Sequence, residues 1–323
     1  MFRSLTELIH RWVLGAWYNL GMIRRTLLFE RPSNLPPLQL APLDEEILRH
    51  VRRHRFLRSD QVHRLVGGSE GQVLRRIILL FEHGFLDRPE AQLRYGASMR
   101  SRDLVHGLAK RGVRHLLSLG EVESHRIHEK RVGQLYLDHT VEVAEFMTRL
   151  ERELPPGVTL SYEDDGASVQ RSVAGCSWSV PVHYRGEELR VGVVPDRVFR
   201  LSTRDETLLF CLEVDRGTMP VVRSNPAQSS FYRKLLAYHE TWRSGLHVRE
   251  LGWRRFRVLT LTSSAERRDH LVDVCKEVVA GGGSGLFLFA DTDTFKREPS
   301  LTAMPWITGD GLNVAKILSE TRG

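Results

Sequence analysis

Apolar positions recur at helical spacing in the first part of the chain, in three short stretches separated by turn residues. The predicted helices are Asp44–His54, Asp60–Val66 and a third from Ser69 to about His83. Ser59 is the expected N-cap of the second helix, because its hydroxyl can accept a hydrogen bond from an unpaired backbone N–H. Gly67-Gly68 forms a turn before the third helix, and Gly84 occupies the position where a left-handed glycine commonly ends one.

Short extended pieces follow the third helix. Phe85-Leu86 and Asp103–Gly107 have the composition of strands, and a further helix is predicted from about Ala109 to Leu119. Three short helices, a tight turn before the third and then a hairpin resemble a winged helix-turn-helix. The resemblance implies that the third helix enters the major groove of DNA.

The pattern changes after residue 131. A helix over Val132–Leu150 is followed by alternating strands and helices, as expected of an α/β domain. The predicted strands are Thr159–Tyr162, Leu189–Val194, Arg197–Leu201, Leu208–Val214, Arg255–Thr262 and Leu286–Ala290, and the predicted helices are about Ala227–Trp242 and Ala265–Val279.

Residues 1–30 form a candidate amphipathic helix that ends in the proline-rich linker Arg31–Pro37. Two interpretations stay open: the helix packs on the body or on a second subunit, or it lies on a membrane surface. A transmembrane span is not expected, because Glu7, Arg24 and Arg25 interrupt the apolar stretch. The predicted domains are therefore residues 1–36 (helix and linker), 41–130 (winged helix) and 131–323 (α/β core).

Composition places the chain among ordinary globular proteins, with 41% hydrophobic and 27% charged residues. Disordered, collagen-like and coiled-coil classes are excluded. The three cysteines, Cys176, Cys211 and Cys275, form no metal-binding or disulfide spacing, and free thiols fit a reducing compartment. We expect a cytoplasmic protein.

Charge is distributed unevenly along the chain. Residues 1–130 contain 22 Lys and Arg against 14 Asp and Glu, whereas residues 131–323 contain 25 against 26. A basic surplus confined to one domain is typical of a phosphate-binding surface, although a solvated basic surface is the alternative.

The candidate DNA-binding residues lie in the predicted helices. Those near the start of the third helix would contact bases, and those around the end of the first would contact phosphates. They are Ser69, Gln72, Arg75 and Arg76, and Arg52, Arg53, Arg55 and Arg58. The expected partner is double-stranded DNA. The alternative is a winged helix used only for protein contacts.

Carboxylates mark the candidate chemistry of the second domain. Asp196 follows Pro195 next to a predicted strand, and Glu213 and Asp215 share one face at the end of an apolar strand. Lys234 lies on the next predicted helix. No phosphate-binding glycine motif opens any helix, so nucleotide hydrolysis has no support.

This order of elements and carboxylates resembles the PD-(D/E)XK nuclease core. The resemblance implies that Asp196 and Glu213 hold Mg²⁺ or Mn²⁺ for catalysis, and the carboxylate of Asp215 is the candidate for a further ligand or an orienting group. Asp215 stands where that motif has a lysine, and Lys234 is the candidate substitute. A surface lysine whose stem covers Tyr238 is the alternative.

The segments "LDHTVEV", "PDRVF", "LEVDRGT" and "YRKLLAY" together resemble the replication-relaxation family of plasmids and mobile elements, over roughly residues 42–280. The resemblance implies a DNA-binding protein acting in replication or mobilisation. As further partners we expect a second copy of the chain or a replication or mobilisation protein, and no membrane. Three hypotheses stay open for the second domain: a nicking or cleaving nuclease, a catalytically silent nuclease fold used for binding or assembly, and the sensing domain of a transcription regulator.

Overall fold

The computed structural model describes residues 28–95, 103–121, 132–163, 176–184, 186–223, 230–280 and 282–318. The fold is mixed α/β, and the chain divides into two compact units, residues 1–144 and 145–323. The helix predicted over residues 1–30 lies, up to residue 27, outside the described residues. None of the described helices has the length and hydropathy that a membrane span requires.

The first unit consists of helices and short strands. Its elements are α1 (Pro42–His54), β1 (Leu57–Arg58), α2 (Ser59–Val66), α3 (Glu70–Glu82), β2 (Leu86–Asp87), a 3₁₀ helix (Glu90–Tyr95), β3 (Val105–Leu108) and α4 (Lys110–Ser118). The strands form an antiparallel sheet in the order β1-β3-β2. All four predicted helices and the two predicted extended segments, which pair as β2 and β3, are therefore present, whereas β1 and the 3₁₀ helix were not predicted.

The start of α2 differs from the sequence prediction. Ser59 is not the N-cap but the first helical residue, and the cap position belongs to Arg58. The Gln61 side chain accepts the Arg58 N–H at 2.8 Å, which frees the Ser59 hydroxyl to contact Nε2 of His106 at 2.9 Å in the interior. Gly84 has a φ of 73° just after α3, as its position predicts.

Apolar side chains from the helices and β2 form the core of the first unit. Its members include Ile47, Leu48, Val51, Val62, Val73, Ile77, Leu80, Leu86 and Leu116. A smaller cluster joins Phe56 and Val105 to Leu137 and Val141, which belong to the following helix.

That helix, α5 (Gln134–Glu153), runs from the first unit into the second. The second unit continues with β4 (Thr159–Tyr162), β5 (Trp178–Tyr184), β6 (Glu187–Val193), β7 (Arg197–Ser202), β8 (Thr207–Asp215), α6 (Phe231–Arg243), α7 (Leu246–Arg249), β9 (Arg257–Thr262), α8 (Ala265–Val278), β10 (Phe287–Asp291), α9 (Thr292–Arg297), β11 (Trp306–Thr308) and β12 (Val314–Ala315).

A seven-stranded mixed sheet forms the centre of this unit, in the order β12-β11-β10-β9-β8-β7-β4. Strands β8, β9 and β10 run parallel, and the remaining neighbours are antiparallel. Helices α6 and α8 pack on one face, where Leu235 and Leu271 join Cys211, Val258 and Phe287 of the strands. This packing brings α6 to the face of β8 that carries its odd-numbered side chains.

The six strands predicted in this domain are all present, but β5 was missed. Pro181 lies inside β5, and proline in a sequence segment argues against a strand because it cannot donate to the ladder. The structure accommodates it because β5 and β6 form a separate two-stranded sheet among the described strands, so that one edge of β5 needs no donor from Pro181. The short elements α7, α9, β11 and β12 were also not predicted.

Candidate functional site

Two buried carboxylates lie near the C-terminal end of β8. Glu213 is 1% exposed and Asp215 is 7% exposed, and their side chains contact α6 and α8, respectively. Their neighbours on the parallel strand β9 are Thr260 and Thr262. Because buried ionised groups need polar partners, the contacts of these two side chains define what the site can do.

Glu213 is held by two side chains from α6. The Nζ of Lys234 lies 2.5 Å from Glu213 Oε2, and the hydroxyl of Tyr238 donates to Oε1 at 2.5 Å. Lys234 and Tyr238 are four residues apart, so they share one face of the helix. The structure thus places Lys234, the candidate substitute for the motif lysine, against Glu213.

Burial dominates the proton equilibrium of Glu213. Desolvation raises its pKa to about 7, against the opposing attraction of Lys234, and the negative charge of Asp196 adds to the rise. Burial acts to lower the pKa of Lys234, but the carboxylates around it, Glu213 first, raise that pKa above 10.5. The pKa of the buried Tyr238 hydroxyl is raised well above its ordinary value, so Tyr238 acts as a hydrogen-bond donor here.

Asp196 lies alongside Glu213, in the loop between β6 and β7. Its Oδ2 accepts the backbone N–H of Val214 at 2.7 Å, and its own N–H donates to the carbonyl of Leu212 at 3.0 Å. These two bonds attach the loop to β8 on both sides of residue 213. The negative charge of the Asp196 carboxylate raises the pKa of both Glu213 and Lys234.

Asp215 has a different set of partners. It forms an ion pair with Arg267 of α8 (Nη2 to Oδ1, 3.0 Å) and accepts the hydroxyl of Thr262 at 2.8 Å and the N–H of Gly217 at 3.2 Å. Arg267 also donates to the carbonyl of Met219. Asp215 therefore links the end of β8 to α8 and to the loop that follows the strand.

The expected grouping of three carboxylates is not assembled. Within the described ranges, Asp196, Glu213 and Asp215 do not form a set whose ligand atoms all lie within 4.8 Å of one another. The site that the structure does bring together consists of Glu213, Lys234 and Tyr238, with Asp196 beside it.

Sequence reasoning missed Tyr238 and Arg267 as members of these networks. The sequence contains a signal for the contact of Tyr238, because Tyr238 follows Lys234 by one helical turn and so shares its helix face. The sequence contains no signal for the contact of Arg267, because Arg267 is 52 residues from Asp215 and nothing distinguishes it from the other arginines of the chain.

In the first unit, α3 presents part of the predicted basic surface. Ser69, Gln72 and Arg75 are exposed. Arg76 is not: its side chain is 17% exposed and its Nε donates to the buried carboxylate of Asp44 in α1 at 2.7 Å. That ion pair joins α3 to α1, so the guanidinium of Arg76 makes a structural contact within the first unit.

The four arginines around the end of α1 also differ from one another. Arg52 and Arg55 are exposed, and Arg53 and Arg58 are half-buried. Arg58 pairs with Asp60 at 2.9 Å. Arg55 donates to the hydroxyl of Tyr136, and its guanidinium carbon lies 5.7 Å from the centre of that ring.

Comparison with known proteins gives one family match. The sequence model of the replication-relaxation family matches residues 48–254, almost two thirds of the chain. The match spans α3 and the residues Asp196, Glu213, Lys234 and Tyr238, and it ends before Arg267. No curated protein matches the chain.

Proposed function

Because the chain belongs to the replication-relaxation family, we propose that it is a duplex DNA-binding protein acting in the replication of a plasmid or other mobile element. Membership itself indicates the replication-related role. The observation that carries the DNA-binding part is the exposed start of α3, with Ser69, Gln72 and Arg75, in a part of the chain with a large basic surplus.

The order of elements supports this proposal. Three short helices and a β2–β3 hairpin match the arrangement of a winged helix-turn-helix, in which the third helix enters the major groove. Arginine and glutamine are the side chains that make bidentate contacts to guanine and adenine. Gln72 and Arg75 would make such contacts, and Arg52 and Arg55 would bind phosphates.

The test is duplex binding by the full chain, measured by fluorescence anisotropy across a salt series. Affinity should fall steeply with salt, because each phosphate contact releases counterions. Arg75→Ala should weaken binding by roughly tenfold, since one good base contact contributes about 1–3 kcal/mol. The control Arg254→Ala removes the same charge from an exposed position of the second unit and should have little effect.

Equal losses in the two variants would contradict the assignment to α3. Arg76→Ala is unsuitable for this purpose, because it would also remove the partner of the buried Asp44.

A second candidate function is phosphodiester cleavage by a PD-(D/E)XK-like core. The contact between Lys234 and Glu213, with Asp196 beside them, favours it. In such a site Lys234 would stabilise the negative charge that develops on the phosphate, and Tyr238 would hold Glu213 in place.

The residues fit a divalent cation in part. Asp196 and Glu213 offer the hard oxygen ligands that Mg²⁺ or Mn²⁺ prefers, and the ion would supply a Lewis acid for hydrolysis. Asp215 does not fit the role of third ligand, because Arg267, Thr262 and Gly217 already occupy its carboxylate.

A plasmid relaxation assay with Mg²⁺ or Mn²⁺ tests this second function. If the wild-type protein relaxes plasmid, Glu213→Gln and Lys234→Met should each abolish relaxation while duplex binding is kept. If the wild type binds duplex without relaxing plasmid, the second unit is a catalytically silent nuclease fold or a regulatory domain, and cleavage is refuted.

A further inference from the structure

Arg55 has an unusual backbone conformation. Its φ and ψ are 71° and −49°, and the N–H of Phe56 donates to the carbonyl of His54 at 2.8 Å, which closes a γ-turn of positive φ. Among the described residues, Asn34 is the other non-glycine residue with positive φ. Strain of this kind persists where the surrounding structure enforces it and often accompanies a functional site.

Packing on either side explains how the turn is held. Phe56 and Leu137 are both fully buried and belong to the same small cluster. The γ-turn directs Phe56 inward and Arg55 outward, and α5 likewise buries Leu137 and leaves Tyr136 at the surface. Two buried neighbours thereby set the exposed pair side by side.

The exposed pair is in direct contact. Arg55 donates a hydrogen bond to the Tyr136 hydroxyl, and its guanidinium carbon lies 5.7 Å from the centre of the ring. Tyr136 nevertheless stays 41% exposed. A tyrosine that is held by an arginine and open to solvent is a preorganised aromatic surface with a positive charge beside it.

We propose that Arg55 and Tyr136 form a stacking platform for an unpaired base of DNA. This inference rests on the proposed function and deepens it, because it names DNA with a single-stranded stretch as the substrate class. A paired base inside a duplex already has neighbours on both faces, whereas an unpaired base can stack on an aromatic ring. The Arg55 guanidinium would attract the adjacent phosphate in the basic part of the chain.

The experiment compares an intact duplex with the same duplex containing a short single-stranded gap that carries 2-aminopurine. The full chain should bind the gapped DNA about tenfold more tightly, as expected for one stacked base, and should change the fluorescence of the 2-aminopurine. Tyr136→Ala should abolish both effects and leave duplex binding unchanged. Tyr136→Phe, which keeps the ring, should retain most of the preference.

The matched control is Trp242→Ala, which removes an aromatic side chain of similar exposure (39%) from the second unit and should keep the preference. Equal affinity of the wild type for gapped and intact duplex would overturn the platform and leave the proposed duplex binding in place. A gap preference that survives in Tyr136→Ala would also overturn it. Failure to bind either DNA would remove the proposed function and the platform together.

Discussion

Glu213 is the buried acid of the candidate site, and its pKa lies in the neutral range. Its pKa of about 7 is set by burial, and Lys234 and Tyr238 occupy its two oxygens. The ionised pair with Lys234 and the protonated carboxylic acid are therefore both accessible near neutral pH. Neither form leaves a buried oxygen without a partner, which makes this a stable place for an acid in the interior.

This shift predicts a pH dependence of stability. The native pKa of about 7 lies above the unfolded value of 4.5, so the native state binds the proton more tightly than the unfolded state. The contribution of Glu213 to the free energy of unfolding is therefore present below pH 4.5 and is lost as pH rises from 4.5 through 7. The loss should amount to roughly 3 kcal/mol at most. Urea denaturation between about pH 5 and about pH 8 should show a shallower decline in Glu213→Gln than in the wild type. Identical pH profiles in the two proteins would contradict the raised pKa.

At the scale of elements, the packing of α4 depends on one residue without a side chain. A Cβ built on Gly112 would lie 2.3 Å from the carbonyl oxygen of Phe85, which is backbone next to β2 and cannot move aside cheaply. Glycine here permits the close approach of α4 to the segment that leads into the hairpin. The proposed winged helix therefore depends on this contact for its shape.

Gly112→Ala should destabilise the first unit by about 1–3 kcal/mol, since overpacking against backbone forces the helix to shift. Gly71→Ala is the matched control: Gly71 is in α3, and its added Cβ would meet nothing within 4 Å. We expect that control to be neutral or more stable by roughly 0.5–1 kcal/mol, because alanine favours the helix. Thermal unfolding followed by circular dichroism measures both, and similar melting temperatures would refute the steric argument.

For the whole molecule, charge and candidate chemistry are separated along the chain. The basic surplus lies within residues 1–130, whereas the Glu213 site lies in the second unit, in a part of the chain with one more acidic than basic residue. The proposed duplex binding and the proposed cleavage thus depend on different sets of side chains.

Separate substitutions should therefore separate the two properties. Glu213→Gln should change duplex affinity by less than about twofold, because a buried side chain adds little to the field that attracts DNA. Arg75→Ala should weaken binding and leave the pH dependence of stability unchanged. A folded Glu213→Gln protein that has lost duplex binding would show that the second unit takes part in it.

The hydrophobic periodicity of the sequence was sufficient to predict most of the helices and strands. Helix α3 and strand β8 were predicted within two residues of their bounds, and Glu213 and Asp215 share a face as alternation requires. These features depend on residues close in sequence, and local geometry is the same wherever the segment lies. The family resemblance likewise rested on short segments, and it is confirmed over residues 48–254.

Tertiary structure alone decided which charged groups meet. Asp215 looked equivalent to Glu213, yet it pairs with Arg267 of α8, and Arg76 looked equivalent to Arg75, yet it pairs with Asp44 of α1. An ion pair depends on distance after folding, and the chain contains 41 arginines with the same charge and the same donors. The sequence determined which residues could serve as acids, bases and cations. The packing of helices on the sheet and on one another determined which of these side chains form ion pairs and which stay exposed.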